Sequence, residues 1–155
     1  MTRDAALDFL IRLADGVAAM FGANCEVVIH DMTNFKHSIV YIVNGQVTAR
    51  QCGDRFTIVG VDDLNRFFAG TDLINCKAVT KDRRSLKSST FHLDGDGYHF
   101  ALGINYDFTP LNFAQKALAD LTSTGQDIGQ AIEGNTTAKE QLDSLDRKST
   151  RLNSS

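Results

Sequence analysis

The chain has 155 residues, 43% of them hydrophobic, which is enough for one domain with a buried core. A formal net charge of -3 and a pI near 5.7 exclude this segment as a basic nucleic-acid footprint. No apolar run reaches the length of a membrane span, and Asp4, Asp8 and Asp15 break the layout of a signal peptide, so the expected compartment is the cytoplasm.

Residues 2–21 read as a helix, with Leu10, Leu13, Val17, Met20 and Phe21 as its apolar stripe. Thr2 is placed to cap it, Asp4 suits its first turn, and Gly22 stops it. Residues 25–31, CEVVIHD, are a β-branched run and a predicted strand. Residues 38–43 form a second strand, Asn44-Gly45 a tight hairpin turn, and residues 46–49 a short returning strand. A short helix is expected at 62–69 and a strand at 75–80, ended by the polar turn 81–84. Strands at 86–93 and 98–107 flank the turn Asp94-Gly95-Asp96-Gly97. Thr109 as cap and Pro110 at the first helical position start a helix that runs to about residue 122. Residues 123–145 are polar, with Gly and Thr breaks, and read as linker. Local hairpins separated by a small helix predict an α+β fold, an antiparallel sheet with flanking helices.

Period-two alternation places Glu26, Val28 and His30 on one face of the first strand. On the last strand Phe100, Leu102, Ile104 and Tyr106 make a bulky face, and Ala101, Gly103, Asn105 and Asp107 a small, partly polar one. The small face leaves room for a ligand or for close helix packing. His30 and Asn105 can orient a small polar ligand over an apolar floor. They also fit as core polar groups with protein partners. Ser88 and Thr90 point one way and Ser89 the other, as ligand contacts or as ordinary strand residues. Glu26 joins His30, Asn105, Ser88 and Thr90 as a candidate ligand-binding residue.

His92 and His99 flank the DGDG turn and could begin a metal site, but further ligands are not evident, and a solvated cross-strand pair is expected. The DGDG stretch lacks the rest of a calcium loop. Lys81, Arg83, Arg84 and Lys87 read as a solvated turn. Cys25, Cys52 and Cys76 are odd in number with no CxxC, so no disulfide framework is expected, and Cys25 and Cys76 are read as buried small residues. No Ser, His or Asp sits in a nucleophile context such as G-x-S-x-G, and no enzymatic activity is expected. Leu111, Ala114, Leu118 and Leu121, widened by Phe113 and Ala117, form a stripe on the last predicted helix. It can fold back on the sheet or meet a second copy; the expectation is a homodimer.

Three pieces, in order, carry a family resemblance. They are residues 24–31 (NCEVVIHD) after a helix ending in Phe21-Gly22; Ser38-Ile39-Val40 with Asn44-Gly45-Gln46-Val47-Thr48; and Lys87-Ser88-Ser89-Thr90, the DGDG turn and Gly103-Ile104-Asn105-Tyr106-Asp107. Over roughly residues 7–108 the chain resembles the YheO-like PAS domain of bacterial helix-turn-helix transcription regulators. His99-Phe100 and residues 34–37 depart from the family pattern. The resemblance implies a sensor domain at 1–108, an exit helix at 109–122 and a linker at 123–145. It implies a small polar metabolite as ligand and DNA contact only through a C-terminal domain. No dedicated cofactor motif is present; the alternatives are a haem- or flavin-bearing sensor and a ligand-free dimerisation module. The segment Asp146–Ser155 matches the translation of a common sequencing adapter. It is expected to lie outside the fold, with the natural frame continuing beyond Leu145 into the DNA-binding domain.

Overall fold

The structure is a computed structural model that describes residues 1–57, 71–133 and 136–153; the helix expected at 62–69 lies outside the described residues. The chain divides into two compact units, Met1–Ala114 and Gln115–Ser155.

The first unit opens with helix α1, Arg3–Phe21. Thr2 caps it as expected, its Oγ1 accepting from the Ala5 N–H at 3.2 Å, and Gly22 ends it at φ 83°. Strands β1 (Cys25–Asp31), β2 (Ile39–Val43), β3 (Leu73–Val79), β4 (Ser85–Gly95) and β5 (Tyr98–Asp107) follow. They form one sheet in the order β2-β1-β5-β4-β3, every neighbouring pair antiparallel. This is the α+β architecture read from the sequence.

The two faces of the sheet differ as the alternation predicts. Cys25, Val27, Ile29, Phe100 and Leu102 form the core with α1. The helix meets them through Ala6, Leu10, Ala14 and Ala18. Of the predicted stripe, Leu10 is buried and Val17 packs against the core, but Leu13, Met20 and Phe21 are exposed, which corrects that part of the helix face. The bulky strand face already fills the interlayer space, so the helix packs through its alanines, spaced four apart from Leu10. Volume on the sheet substitutes for volume on the helix.

After β2 the expected returning strand is instead a 3-10 turn, Gly45–Val47. Asn44 does take the left-handed conformation, at φ 56°. Its Nδ2 donates to the carbonyls of Cys25 (2.8 Å) and Gly22 (3.2 Å), which aims the chain back across the sheet rather than alongside β2.

Helix α2, Thr109–Thr122, crosses the boundary between the units. Thr109 does not cap it by its side chain; its Oγ1 accepts from the Ser85 N–H, while Asp107 Oδ1 accepts from the Thr109 N–H. In the second unit, helices α3 (Ile128–Glu133) and α4 (Thr136–Asn153) occupy the stretch read as linker, and α4 runs on through most of the segment expected to lie outside the fold. The Glu, Gln, Leu, Lys and Arg content of residues 140–152 favours helix, and no Gly or Pro interrupts it there. Every side chain from 140 to 153 is exposed.

Candidate functional site

Strand register aligns three rows across β1, β5 and β4: Glu26–Asn105–Ser88, Val28–Gly103–Thr90 and His30–Ala101–His92. The face that carries them is opposite to α1. Glu26, His30, Ser88, Thr90 and Asn105, the sequence-derived candidates, are thus brought together, and all are buried. Val28, His30, Ser88, Thr90, Gly103 and Asn105 line a cavity together with Arg50, Phe56 and Thr57. Its volume is about 10 Å³, room for about one water. Gly103 keeps that space open: a Cβ there would lie 3.1 Å from Val28 Cγ1.

Glu26 is completely buried. A carboxylate in that position needs a cation and full hydrogen bonding. Its Oε1 accepts from Arg50 Nη2 at 2.6 Å and from Asn105 Nδ2 at 2.9 Å. Its Oε2 accepts from Thr48 Oγ1 at 2.5 Å and from the Thr48 N–H at 3.2 Å. Arg50 also donates from Nε to Thr48 Oγ1 (2.7 Å) and from Nη1 to the Thr57 carbonyl (3.0 Å). One guanidinium therefore ties a central strand to two stretches of loop.

Gly45 makes that reach possible. The Arg50 N–H donates to its carbonyl at 3.0 Å, and a Cβ at position 45 would sit 2.4 Å from the Arg50 carbonyl oxygen. Only glycine permits so close an approach.

His30 Nδ1 contacts Ser38 Oγ at 2.8 Å, and the Phe56 ring stands edge-on to the imidazole, centroids 4.8 Å apart. Burial first, and the Arg50 charge second, push the His30 pKa down to about 3. The ring is neutral at pH 7. Asn105 donates to Glu26 through its amide nitrogen and lines the same cavity. The Ser38–His30 contact has the residue types of a nucleophile and base, but Ser38 is fully buried and does not line the cavity.

The remaining sequence candidates lie elsewhere. His92 and His99 are diagonal neighbours across the β4–β5 hairpin, with His92 Nδ1 2.8 Å from His99 Nε2. Desolvation, then the neighbouring His99, lower the His92 pKa. Among the described residues no group of three or more His, Cys, Asp or Glu could hold a metal. Cys25 is buried but Cys76 is exposed, against expectation, because β3 is an edge strand. Arg84 pairs with Asp82 at 2.9 Å and with Asp107 at 3.5 Å. On α2, Leu111 and Ala114 in the first unit are exposed, as are Leu118 and Leu121 in the second.

Sequence reasoning misses Arg50, Thr48, Phe56 and Thr57. One signal exists. A glutamate inside the run CEVVIHD must recruit a cation if the strand is buried on both faces. Nothing in the local pattern says which of the Lys and Arg residues answers it.

The family model of the YheO-like PAS domain matches residues 1–123. An uncharacterized protein of Haemophilus influenzae is 40% identical over 52 residues, which is 34% of this chain and 24% of that protein. The uncharacterized protein YheO of Escherichia coli is 38% identical over 45 residues, 29% of this chain and 19% of that protein. The aligned stretches thus span a quarter or less of these curated relatives. The solved structure of an RNA-binding light-oxygen-voltage receptor aligns with 80% of this chain and 39% of its own, at 15% identity and a TM-score of 0.46. Among the described residues no helix is long and apolar enough to cross a membrane.

Proposed function

This chain belongs to the YheO-like PAS domain family, and from that premise we propose that it is the ligand-sensing domain of a bacterial transcription regulator. Its ligand is a small polar molecule bound over Glu26, His30, Ser88, Thr90 and Asn105. DNA contact belongs to a separate domain of the regulator, and the Leu111, Ala114, Leu118 and Leu121 stripe of α2 pairs with the same stripe of a second copy.

The observation that carries the reading is the sheet face itself. An apolar core needs no buried row of Glu, Asn and Ser, and such groups destabilise a core unless each is satisfied. Here Asn105 and Ser88, with His30 and Thr90, line a cavity whose floor is kept low by Gly103, and Glu26 is held beside it by Asn105 and Arg50. Ser88 and Thr90 offer hydroxyls, His30 a neutral imidazole and Asn105 an amide oxygen. That set recognises polar groups without fixing a charge of its own.

One observation favours a second reading, a ligand-free dimerisation module: the cavity, at about 10 Å³, holds no organic molecule as it stands. A thermal-shift screen of small metabolites against the purified chain separates the two. The sensing role predicts at least one compound that raises Tm in the parent and loses its effect in Gly103→Ala and Asn105→Ala. A ligand present at 100 times its Kd adds about 2.7 kcal/mol, well within detection. A broad screen that leaves Tm unmoved favours the ligand-free module.

A further inference from the structure

The Glu26–Arg50 pair sets a condition on what can enter the cavity, a condition that rests on the sensing role proposed above. With about 10 Å³ available, an organic ligand must displace part of the wall. Most of the wall is fixed in the hydrogen-bonded strands β1, β4 and β5. Phe56 is held by its N–H on the Phe35 carbonyl at 2.8 Å and by ring contacts with His30 and Phe35. Among the described lining residues Arg50 is the one long, unbranched side chain, reaching in from a loop and still 10% exposed.

If the guanidinium swings out, Glu26 cannot follow. It is fully buried on a strand with neighbours on both sides. Asn105 and Thr48 still donate to it, but neither carries charge. A buried carboxylate that loses its cation is strongly destabilising. A neutral or anionic occupant leaves that deficit in place, whereas an occupant bearing a positive charge removes it.

We propose that the ligand is a small organic cation whose ammonium or guanidinium group takes the place of Arg50 on Glu26 Oε1. A zwitterion qualifies through its ammonium, and its carboxylate then meets the displaced Arg50. Occupancy exchanges one cation for another and unfastens Arg50 from Thr48 and the Thr57 carbonyl. The signal is the release of the loop that follows β2.

The test is chemical rescue in the full chain. Arg50→Ala strands Glu26 and opens the space that the side chain filled. Ethylguanidinium, a copy of the missing group, is expected to raise the Tm of the variant by roughly 5 °C at tenfold excess over its Kd. Propionamide, and sodium chloride at equal ionic strength, are expected to leave it unchanged. Should the variant fail to fold, the parent is titrated with propylammonium, propionamide and propionate, following the Arg50 Nε–H and Asn105 side-chain amide resonances by NMR. Only the cation is expected to move them. Propionamide or propionate binding as well as the cation overturns the charge requirement and leaves the sensing role standing. No response to any probe overturns the cation exchange, and the metabolite screen then judges the sensing role separately.

Discussion

Acid should destabilise this domain through His30. The imidazole is 3% exposed, and its pKa in the fold is pushed from 6.5 to about 3 by burial and by Arg50. In the unfolded chain it titrates at its ordinary value. Below pH 6.5 the unfolded state therefore binds a proton that the folded state refuses, so stability is full above 6.5 and falls as pH drops toward 3. The slope is about 1.4 kcal/mol per pH unit, so at about pH 5 the loss is about 2 kcal/mol relative to neutral pH. For a domain of this size that corresponds to a fall in Tm on the order of 10 °C. Urea melts at several pH values between about 5 and 7.5 give the stability curve. The hydrogen-bonded Asp31 contributes in the same direction, but only near and below its ordinary 3.8, outside this window. His92, also lowered, contributes within it, so the comparison is between slopes of the parent and of His30→Gln. The variant should lose most of the pH dependence whatever its absolute stability. Equal slopes in the two proteins would show that the fold does not depress the His30 pKa, and that burial and Arg50 do not act on the ring as described.

Gly45→Ala is expected to cost about 1–3 kcal/mol in urea denaturation, since the new Cβ would meet the Arg50 carbonyl and force the loop off Glu26. An unchanged midpoint would mean that the loop has slack the geometry denies. Leu118→Asp on α2 should convert a dimer to a folded monomer by light scattering, because the side chain is 64% exposed within the single chain. Association that persists in that variant, or a parent already monomeric at high concentration, removes α2 from the interface.

Much of the first unit is legible in the sequence because its signals are local. Strands β1 and β5 can be read to their end residues from alternation and from the turns around them. The same alternation by itself puts Glu26 and His30 on one face of β1 and Asn105 on the small face of β5, and β4 brings Ser88 and Thr90 beside them. What stays hidden is long-range. Thr48 and Arg50 reach Glu26 from a loop, and loops carry no period that names their targets. The helix face misleads for a different reason. A search for large apolar residues selects Leu13 and Met20, whereas the sheet, already bulky, selects Ala14 and Ala18. The helices α3 and α4 escape notice because polarity suggests a linker, although Glu, Gln, Lys and Arg are themselves good helix formers.

The strand order β2-β1-β5-β4-β3 has a consequence for how the chain is made. The last of the described strands along the chain, β5, lies in the middle of the sheet. Until Tyr98–Asp107 has left the ribosome, β1–β2 and β3–β4 are hairpins with no strand pairing between them among the described residues. Two-stranded ribbons of that kind are marginal in water and present open edges to other nascent chains. Insertion of β5 closes both at once, and only then do Glu26 and Asn105, 79 positions apart, come into contact. The cavity therefore has no precursor on the growing polypeptide, and a molecule that fits it can stabilise only chains that have already finished the sheet.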